Sequence, residues 1–290
     1  MDTAHAGRKL KATLAKPGLI TAPGVYDMIS ARIADGLGFD ALYMTGYGVS
    51  ASLGLPDAGL VSYTEMVSRV AQICQGTSTP VICDADTGFG GLLNVERTVK
   101  GYEAAGAAGI QIEDQVFPKR CGHTPGRRVV PTEDMVRKIK VAAASRSSAD
   151  FLIVARTDAR TSHGLDEALR RGEAFAKAGA DILFIESPES EEELARIGKQ
   201  FHVPLLANLA DGGKTPILPK ARLEQLGYKL AIFPATGFLA TAKALTHVYG
   251  VLKEKGSSDT LQGVLFSFEE FCRLVGFEHV WEFEKRWPEV

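Results

Sequence analysis

The sequence predicts an α/β fold, a (β/α)8 TIM barrel, followed by an extra helical segment at the C-terminus. Three observations predict it: short runs rich in Val, Ile and Leu recur along the chain, helical patterns separate them, and glycines close several of the helices. Apolar runs of this kind are typical of parallel strands buried on both faces. The chain of 290 residues can hold one such barrel, which takes roughly 250 residues.

The eight apolar runs predict eight strands: Leu19 to Ala22, Ala41 to Gly46, Pro80 to Asp86, Gly109 to Asp114, Phe151 to Asp158, Ala180 to Glu186, Val203 to Asn208 and Leu230 to Pro234. Helical patterns lie between and after them: Tyr26 to Leu37, Tyr63 to Gln75, Val95 to Ala105, Thr132 to Ala144, Leu165 to Ala178, Glu191 to Gln200, Leu218 to Leu226 and Phe238 to Leu252. Gly38, Gly106 and Gly179 each precede a predicted strand, as a helix C-terminus favours. An open doubly wound sheet is the alternative, but no dinucleotide fingerprint supports it.

We assign residues 1–252 to the catalytic barrel and residues 253–290 to a C-terminal helical arm. A polar turn, Lys253 to Asp259, separates the two. The arm carries Leu, Phe and Trp at helical spacing, including Trp281 and Trp287. Too many large apolar groups occur here to remain in water, so we expect the arm to pack on this barrel or on a neighbouring subunit.

Composition excludes several classes of partner and compartment. The formal net charge is -2 and the basic residues are scattered, which argues against nucleic acid and anionic membranes. The sequence has no signal-peptide pattern and no apolar run of membrane-spanning length, so we expect a cytoplasmic protein. Its four cysteines are too few and too irregularly spaced for a disulfide framework or a zinc site.

Charged and polar residues gather where the predicted strands end, the end of an α/β barrel at which active sites are built. Asp84 and Asp86 are one residue apart, so an extended strand would direct both carboxylates to the same side. With Glu113 they would form an all-oxygen site suited to Mg²⁺ or Mn²⁺. The alternative is a turn in which Asp caps a helix, but the glycine-rich residues 87–91 and the nearby Glu113 favour the metal.

A long loop, Phe117 to Arg128, follows the fourth predicted strand, and long loops in compact domains are often lids. Cys121 lies in it, flanked by two cations and His123. These neighbours would lower the pKa of the thiol and suit it to proton transfer with a carbanion. The alternative is a surface loop with an incidental cysteine.

Three segments resemble the isocitrate lyase and phosphoenolpyruvate mutase superfamily: Lys119 to His123, Asp84 to Gly90 and Gly54 to Asp57. The resemblance is to short-chain members, which include lyases of methylisocitrate and 2,3-dimethylmalate, hydrolases and decarboxylases of oxaloacetate, and carboxyphosphonoenolpyruvate mutase. It implies an enzyme whose last barrel helix is swapped between subunits of a dimer, usually within a homotetramer.

The resemblance also implies the site residues. Mg²⁺ would lie near Asp84 and Asp86, with Asp57 and Glu113 reaching it directly or through water. The substrate, a small di-acid, would contact Thr45, Gly46, Tyr47, Asp84, Gly122, His123, Arg156, Glu186 and Asn208. Superfamily lyases carry the cysteine found here as Cys121, whereas members acting on phosphonopyruvate often lack it, so its presence favours carbon-carbon cleavage.

These residues suggest a Mg²⁺-dependent lyase that splits a 2-hydroxy dicarboxylate into a 2-oxo acid and a carboxylic acid. Tyr43 or a metal-linked carboxylate such as Glu113 would take the hydroxyl proton, and Cys121 would protonate the resulting enolate. Where lyases of tricarboxylates place two arginines, this chain has Phe238 and, less directly aligned, Phe268. We therefore expect a 2-alkylmalate such as 2,3-dimethylmalate. Oxaloacetate hydrolysis or decarboxylation and phosphonate mutation remain the alternatives.

Overall fold

The computed structural model describes residues 3–122, 124 and 126–288, and in it parallel strands close into a barrel in the order β1 to β8. The strands are β1 (Ile20–Val25), β2 (Leu42–Met44), β3 (Val81–Asp84), β4 (Gly109–Glu113), β5 (Leu152–Thr157), β6 (Ile182–Ile185), β7 (Leu205–Asn208) and β8 (Leu230–Phe233). β1 pairs in parallel with β8, which closes the barrel. The predicted (β/α)8 barrel is confirmed, and each predicted strand corresponds to an observed one.

Helices alternate with the strands: α1 (Thr3–Leu14), α2 (Met28–Gly36), α3 (Gly46–Ser52), α4 (Tyr63–Gly76), α5 (Leu92–Ala104), α6 (Thr132–Ser145), α7 (Ala159–His163), α8 (Leu165–Ala178), α9 (Glu191–Gln200), α10 (Lys220–Gln225) and α11 (Thr236–Lys255). A 3₁₀ turn (Asp259–Leu261), α12 (Phe268–Leu274) and α13 (Phe277–Arg286) follow. The sequence patterns did not predict α1, α3 or α7, because the first lies outside the repeat and the other two are short.

Helix α1 closes the end of the barrel at which the strands begin. Its Leu10 and Leu14 are buried in one cluster with Ile20, Leu152 and other apolar side chains of the strands. Burying a leucine side chain stabilises the folded state by about 1.5–3 kcal/mol, so these contacts hold α1 against this end of the barrel. Polar and charged side chains lie at the opposite end of the barrel, where the strands end.

The chain divides into two compact units, one ending at Thr236 and the other beginning at Gly237. This division lies within α11, N-terminal to the polar turn at which we predicted that the arm begins. Among the described residues of the second unit, Leu261 is the one buried side chain, while Trp281, Phe283 and Trp287 are largely exposed. So much exposed apolar surface is typical of a segment that packs on a partner. The subunit swap stays a prediction.

No helix within the described part of the chain is both long and apolar enough to cross a membrane.

Candidate active site at the carboxyl ends of the strands

The charged groups predicted at the strand ends lie together and are buried. Asp84 ends β3, Glu113 ends β4 and Asn208 ends β7, while Arg156 is the penultimate residue of β5 and Glu186 directly follows β6. All five are shielded from solvent. Buried charges are tolerated only when opposite charges or hydrogen bonds compensate them, so the partners of each group indicate what the site does.

Asp84 is oriented by a chain of hydrogen bonds across β2 to β4. Tyr43 Oη donates to Gln111 Oε1 over 2.5 Å, and Gln111 Nε2 donates to Asp84 Oδ1 over 3.2 Å. Burial raises the pKa of Tyr43 well above its usual range, with the Asp84 charge adding to the effect. The phenol is a hydrogen-bond donor in this arrangement, which favours a donor role over the base role that we predicted. Sequence reasoning missed Gln111, although a polar residue between Ile110 and Ile112 was a usable signal.

The argument that one extended strand carries both aspartates is wrong. β3 ends at Asp84, and Asp86 has φ 49°, so the backbone leaves the extended conformation between them. The two residues still meet, because the Asp86 backbone N–H donates to Asp84 Oδ1 over 3.0 Å. Proximity here comes from a turn in the left-handed region, which an Asp adopts more readily than most residues.

Lys119 lies between Asp57 and Asp86. Its Nζ is 2.5 Å from Asp57 Oδ1 and 2.6 Å from Asp86 Oδ1, and the lysine is 3% exposed. Burial raises the pKa of Asp86 to about 6 against the opposing effect of the Lys119 charge. Burial alone would lower the pKa of Lys119, but the surrounding carboxylates outweigh it and raise that pKa well above its usual range. We had considered Lys119 only as a cation near Cys121, whereas it neutralises the acidic site.

The acidic residues suit a hard divalent cation. Glu113 Oε1 is buried and accepts no hydrogen bond from any residue that the structure describes, while Asp86 Oδ1 is paired with Lys119. Within the same described residues, no three His, Cys, Asp or Glu side chains converge as a ready-made metal cage. Mg²⁺ commonly uses one or two carboxylates and keeps several waters, so an open set of oxygen ligands fits it.

Arg156 is held by three carboxylates. Its Nε and Nη2 donate to the two oxygens of Asp158, each over 2.9 Å, and its Nη2 lies 3.2 Å from Glu186 Oε2. Its Nε is 3.5 Å from Glu113 Oε2. Burial would raise the pKa of Asp158, but Arg156 and Arg127 outweigh it, and that pKa lies below its ordinary value. A bidentate pair of this kind fixes the plane of the guanidinium.

The loop that we predicted as a lid lies against the site. The Cys121 backbone N–H donates to Asp57 O over 3.1 Å, and Ser187 Oγ donates to Gly122 O over 3.1 Å. A Cβ built on Gly122 would lie 2.4 Å from Arg156 Nη2, so only glycine allows this approach. Cys121 is partly exposed. His123, which we also predicted to contact the substrate, lies outside the described residues.

The predicted substrate loop after β2 begins α3. Thr45 caps this helix and Gly46 lies against Asp84, because a Cβ on Gly46 would be 2.7 Å from Asp84 Oδ2. Tyr47 is 41% exposed. Asn208 closes the opposite side, where its Nδ2 donates to Glu186 Oε2 over 3.0 Å.

The fold and the site define a (β/α)8-barrel enzyme with a buried acidic site, a buried arginine and a cysteine-bearing loop over both. Residues 10–252 match the sequence model of a family described as phosphoenolpyruvate phosphomutase. The chain belongs to this family, and its relatives include lyases of the isocitrate lyase and phosphoenolpyruvate mutase superfamily. The family resemblance seen in the sequence is thereby confirmed.

Two curated relatives are lyases. The chain is 49% identical over 281 residues to 2,3-dimethylmalate lyase of Eubacterium barkeri, covering 97% of each chain. It is 43% identical over 284 residues to 2-methylisocitrate lyase of Aeropyrum pernix, covering 98% of this chain and 91% of the relative.

Solved structures of related enzymes share the fold along nearly the whole chain. Oxaloacetate acetylhydrolase with 3,3-difluorooxaloacetate superimposes with a TM-score of 0.93 at 33% identity, covering 97% of each chain. Phosphonopyruvate hydrolase, solved with oxalate and Mg²⁺, has a TM-score of 0.87 at 30% identity over 100% of both chains.

Proposed function

We propose that this chain is a Mg²⁺-dependent lyase that cleaves the C2–C3 bond of a 2-alkylmalate such as 2,3-dimethylmalate. The products are a 2-oxo acid from C1 and C2 and a carboxylic acid from C3 and C4. The observation that carries the proposal is the placement of the Cys121 loop over the acidic site, with Gly122 against Arg156. The high identity to 2,3-dimethylmalate lyase over both chains supports the choice of substrate.

Arg156 binds the C1 carboxylate of the substrate in this proposal. Its guanidinium is always charged and is fixed in plane by Asp158, so it is pre-organised for an anion. Thr45, Gly46 and Tyr47 face the same carboxylate and the C2 oxygen, and Asn208 and Glu186 complete the wall. Pre-organised polar groups bind developing charge without having to reorient during the reaction.

Cleavage needs one base and one acid. The base removes the C2 hydroxyl proton, the electron pair left on the oxygen forms the C2 carbonyl, and the C2–C3 electron pair passes to C3 to give the enolate of the second acid. We assign the base to a carboxylate, with Glu113 the candidate whose Oε1 lacks a hydrogen-bond partner among the described residues, since the Tyr43 hydroxyl already donates its proton to Gln111. The Cys121 thiol then gives its proton to C3 beneath the lid.

Asp84, Asp86, Asp57 and Glu113 would hold the Mg²⁺ ion, directly or through water, and Mn²⁺ fits the same oxygen ligands. When bound, the ion stabilises negative charge on the substrate oxygens. Lys119 shares Asp57 and Asp86, so it leaves their carboxylates compensated when the ion is absent.

Two phenylalanines support a substrate with two carboxylates. Phe238 and, by a less direct alignment, Phe268 occupy positions at which the family resemblance implies arginines in tricarboxylate lyases. A third carboxylate without a guanidinium would cost several kcal/mol on burial. We further propose that the enzyme works in the cytoplasm as a homotetramer, a dimer of dimers, whose C-terminal arms pack between subunits.

The test is a side-by-side assay of release of pyruvate or another 2-oxo acid. We expect Mg²⁺-dependent turnover of 2,3-dimethylmalate that exceeds turnover of methylisocitrate. Comparable kcat/KM for the two substrates would refute the substrate assignment. Inactivity on both, with the protein folded, would refute the lyase assignment.

Oxaloacetate hydrolysis is the second candidate, favoured by the TM-score of 0.93 to oxaloacetate acetylhydrolase. It uses the same charge-stabilising site but attacks a C2 carbonyl with water. Release of oxalate from oxaloacetate, without cleavage of 2-alkylmalates, would select this function. Decarboxylation would instead yield CO₂ and pyruvate, and a phosphonate mutase would act on phosphonopyruvate.

A further inference from the structure

Arg127 is buried at the point where the lid rejoins the barrel. Its side chain is 1% exposed, and its Nη1 donates to Asp158 Oδ1 over 2.6 Å while its Nη2 donates to Thr161 Oγ1 over 2.6 Å. The next residue, Arg128, is exposed and accepts a backbone hydrogen bond from Val116 N over 2.8 Å, which pairs the two stems of the lid. An arginine is rarely buried without a specific partner, so the burial of Arg127 depends on its bonds to Asp158 and Thr161.

Asp158 is shared between two arginines. Its Oδ1 accepts from both Arg127 Nη1 and Arg156 Nη2, and its Oδ2 accepts from Arg156 Nε. Asp158 is fully buried, and its backbone N–H donates to Asp114 Oδ1 over 2.9 Å. The carboxylate is therefore fixed from its main chain and from both side-chain oxygens.

Two further carboxylates compete for the Arg156 guanidinium. Glu186 Oε2 lies 3.2 Å from its Nη2 and Glu113 Oε2 lies 3.5 Å from its Nε. Because both carboxylates attract the guanidinium, its plane depends on how firmly Asp158 holds it. Arg127 Nη1 donates to the same Asp158 Oδ1 that accepts from Arg156 Nη2, so a shift of Asp158 toward either carboxylate would strain this bond to Arg127.

We propose that Arg127 and Asp158 are positioning residues: together they set the plane of the Arg156 guanidinium and link that plane to the stem of the lid. Neither residue touches the substrate. The inference rests on the proposed function only in taking Arg156 as the group that binds a substrate carboxylate. It adds that carboxylate binding and lid position share one chain of ion pairs.

The test compares Arg127→Met, Arg127→Lys and Asp158→Asn with the wild-type enzyme. The matched control is Arg146→Met, which breaks an Arg–Asp pair of 2.6 Å with Asp181, at the strand end remote from the site. Oxalate, a two-carboxylate anion, is titrated calorimetrically with Mg²⁺ present, and kcat, KM and the unfolding midpoint are measured for each protein.

We expect Arg127→Met and Asp158→Asn to weaken oxalate binding by about tenfold or more and to raise KM, as displacement of a binding group by a fraction of an ångström does. Arg127→Lys should recover part of the affinity, because its ammonium restores a positive charge beside Asp158 but does not restore the hydrogen bond to Thr161. Arg146→Met should lower the unfolding midpoint and leave oxalate affinity unchanged.

Wild-type oxalate affinity in folded Arg127→Met would overturn the proposal, as would an equal loss of affinity in Arg146→Met. If the wild-type protein bound no oxalate, the proposed function would fail instead. Crystal structures of Arg127→Met would then decide, or of Arg127→Lys if the methionine variant does not fold. An unchanged plane of the Arg156 guanidinium would contradict the positioning role. A guanidinium turned toward Glu186 or Glu113 would support it.

Discussion

Substituting Gly122 with alanine should block closure of the lid. The added Cβ would lie 2.4 Å from Arg156 Nη2 and 2.9 Å from Glu186 Oε2, whereas ordinary contact begins at 3.4 Å. The lid must therefore retreat by about 1 Å, and misplacement of that size costs about 10²-fold in rate. A loss of 10²-fold in kcat/KM corresponds to about 2.7 kcal/mol of transition-state stabilisation. The φ of Gly122 lies outside the left-handed region, so the effect is steric and not conformational.

The assay is release of a 2-oxo acid from 2,3-dimethylmalate, alongside the thermal unfolding midpoint. Gly36→Ala is the control, because a Cβ at Gly36 meets no atom within 4 Å. We expect the control to retain full activity and both variants to unfold at the temperature of the wild type or slightly above it. Unchanged kcat/KM in a folded Gly122→Ala enzyme would refute the view that the lid acts in this closed position.

Three further predictions concern the thiol, the metal and acid stability. Cys121→Ser should lower kcat by about 10²- to 10⁴-fold with the fold retained, as loss of a general acid does, and near-normal turnover would remove the thiol from the mechanism. Lys119→Met should tighten Mn²⁺ binding to the substrate-free protein, measured by electron paramagnetic resonance, because the ammonium no longer competes for Asp86. Unchanged Mn²⁺ affinity would contradict this competition. In the wild-type enzyme, removal of the metal with EDTA should abolish turnover. Hydrogen bonds from Arg170 lower the pKa of Glu167 from 4.5 to about 2, so this carboxylate stabilises the fold fully above pH 4.5 and loses the effect as the pH falls through about 2. Glu167→Gln should therefore unfold more easily than the wild type at pH 7 and equally at pH 2, and a constant difference across that window would argue against the linkage.

The buried acids of the site are compensated mainly by the protein's own cations. Lys119 joins Asp57 to Asp86, and Arg171 Nη1 donates to Asp114 Oδ2 over 2.9 Å. These ion pairs compensate the carboxylates whether or not a metal ion is bound, while Glu113 keeps a buried oxygen with no hydrogen-bond partner in the described part of the chain.

Much of the fold and part of the site could be predicted because their signals are local. Apolar runs at regular spacing are sufficient to predict a parallel barrel, and its topology then brings all strand ends to one edge. Asp84, Glu113, Arg156 and Asn208 lie at strand ends in the sequence, so their convergence followed from the strand assignment alone. The roles of Cys121 and of the metal ligands were argued from the residue types and from the family resemblance, and they remain predictions.

The amino-acid sequence by itself determined the barrel, the family and the set of residues at its active end. Only the tertiary structure decided which of them pair: that Lys119 serves Asp57 and Asp86, that Gln111 orients Asp84, and that Asp158 fixes Arg156. The physical reason is that these contacts join residues from different strands and loops, with geometry set by side-chain packing and a left-handed turn at Asp86. Sequence periodicity records which side of an element a residue faces, but carries no information on the distance to a group from another element.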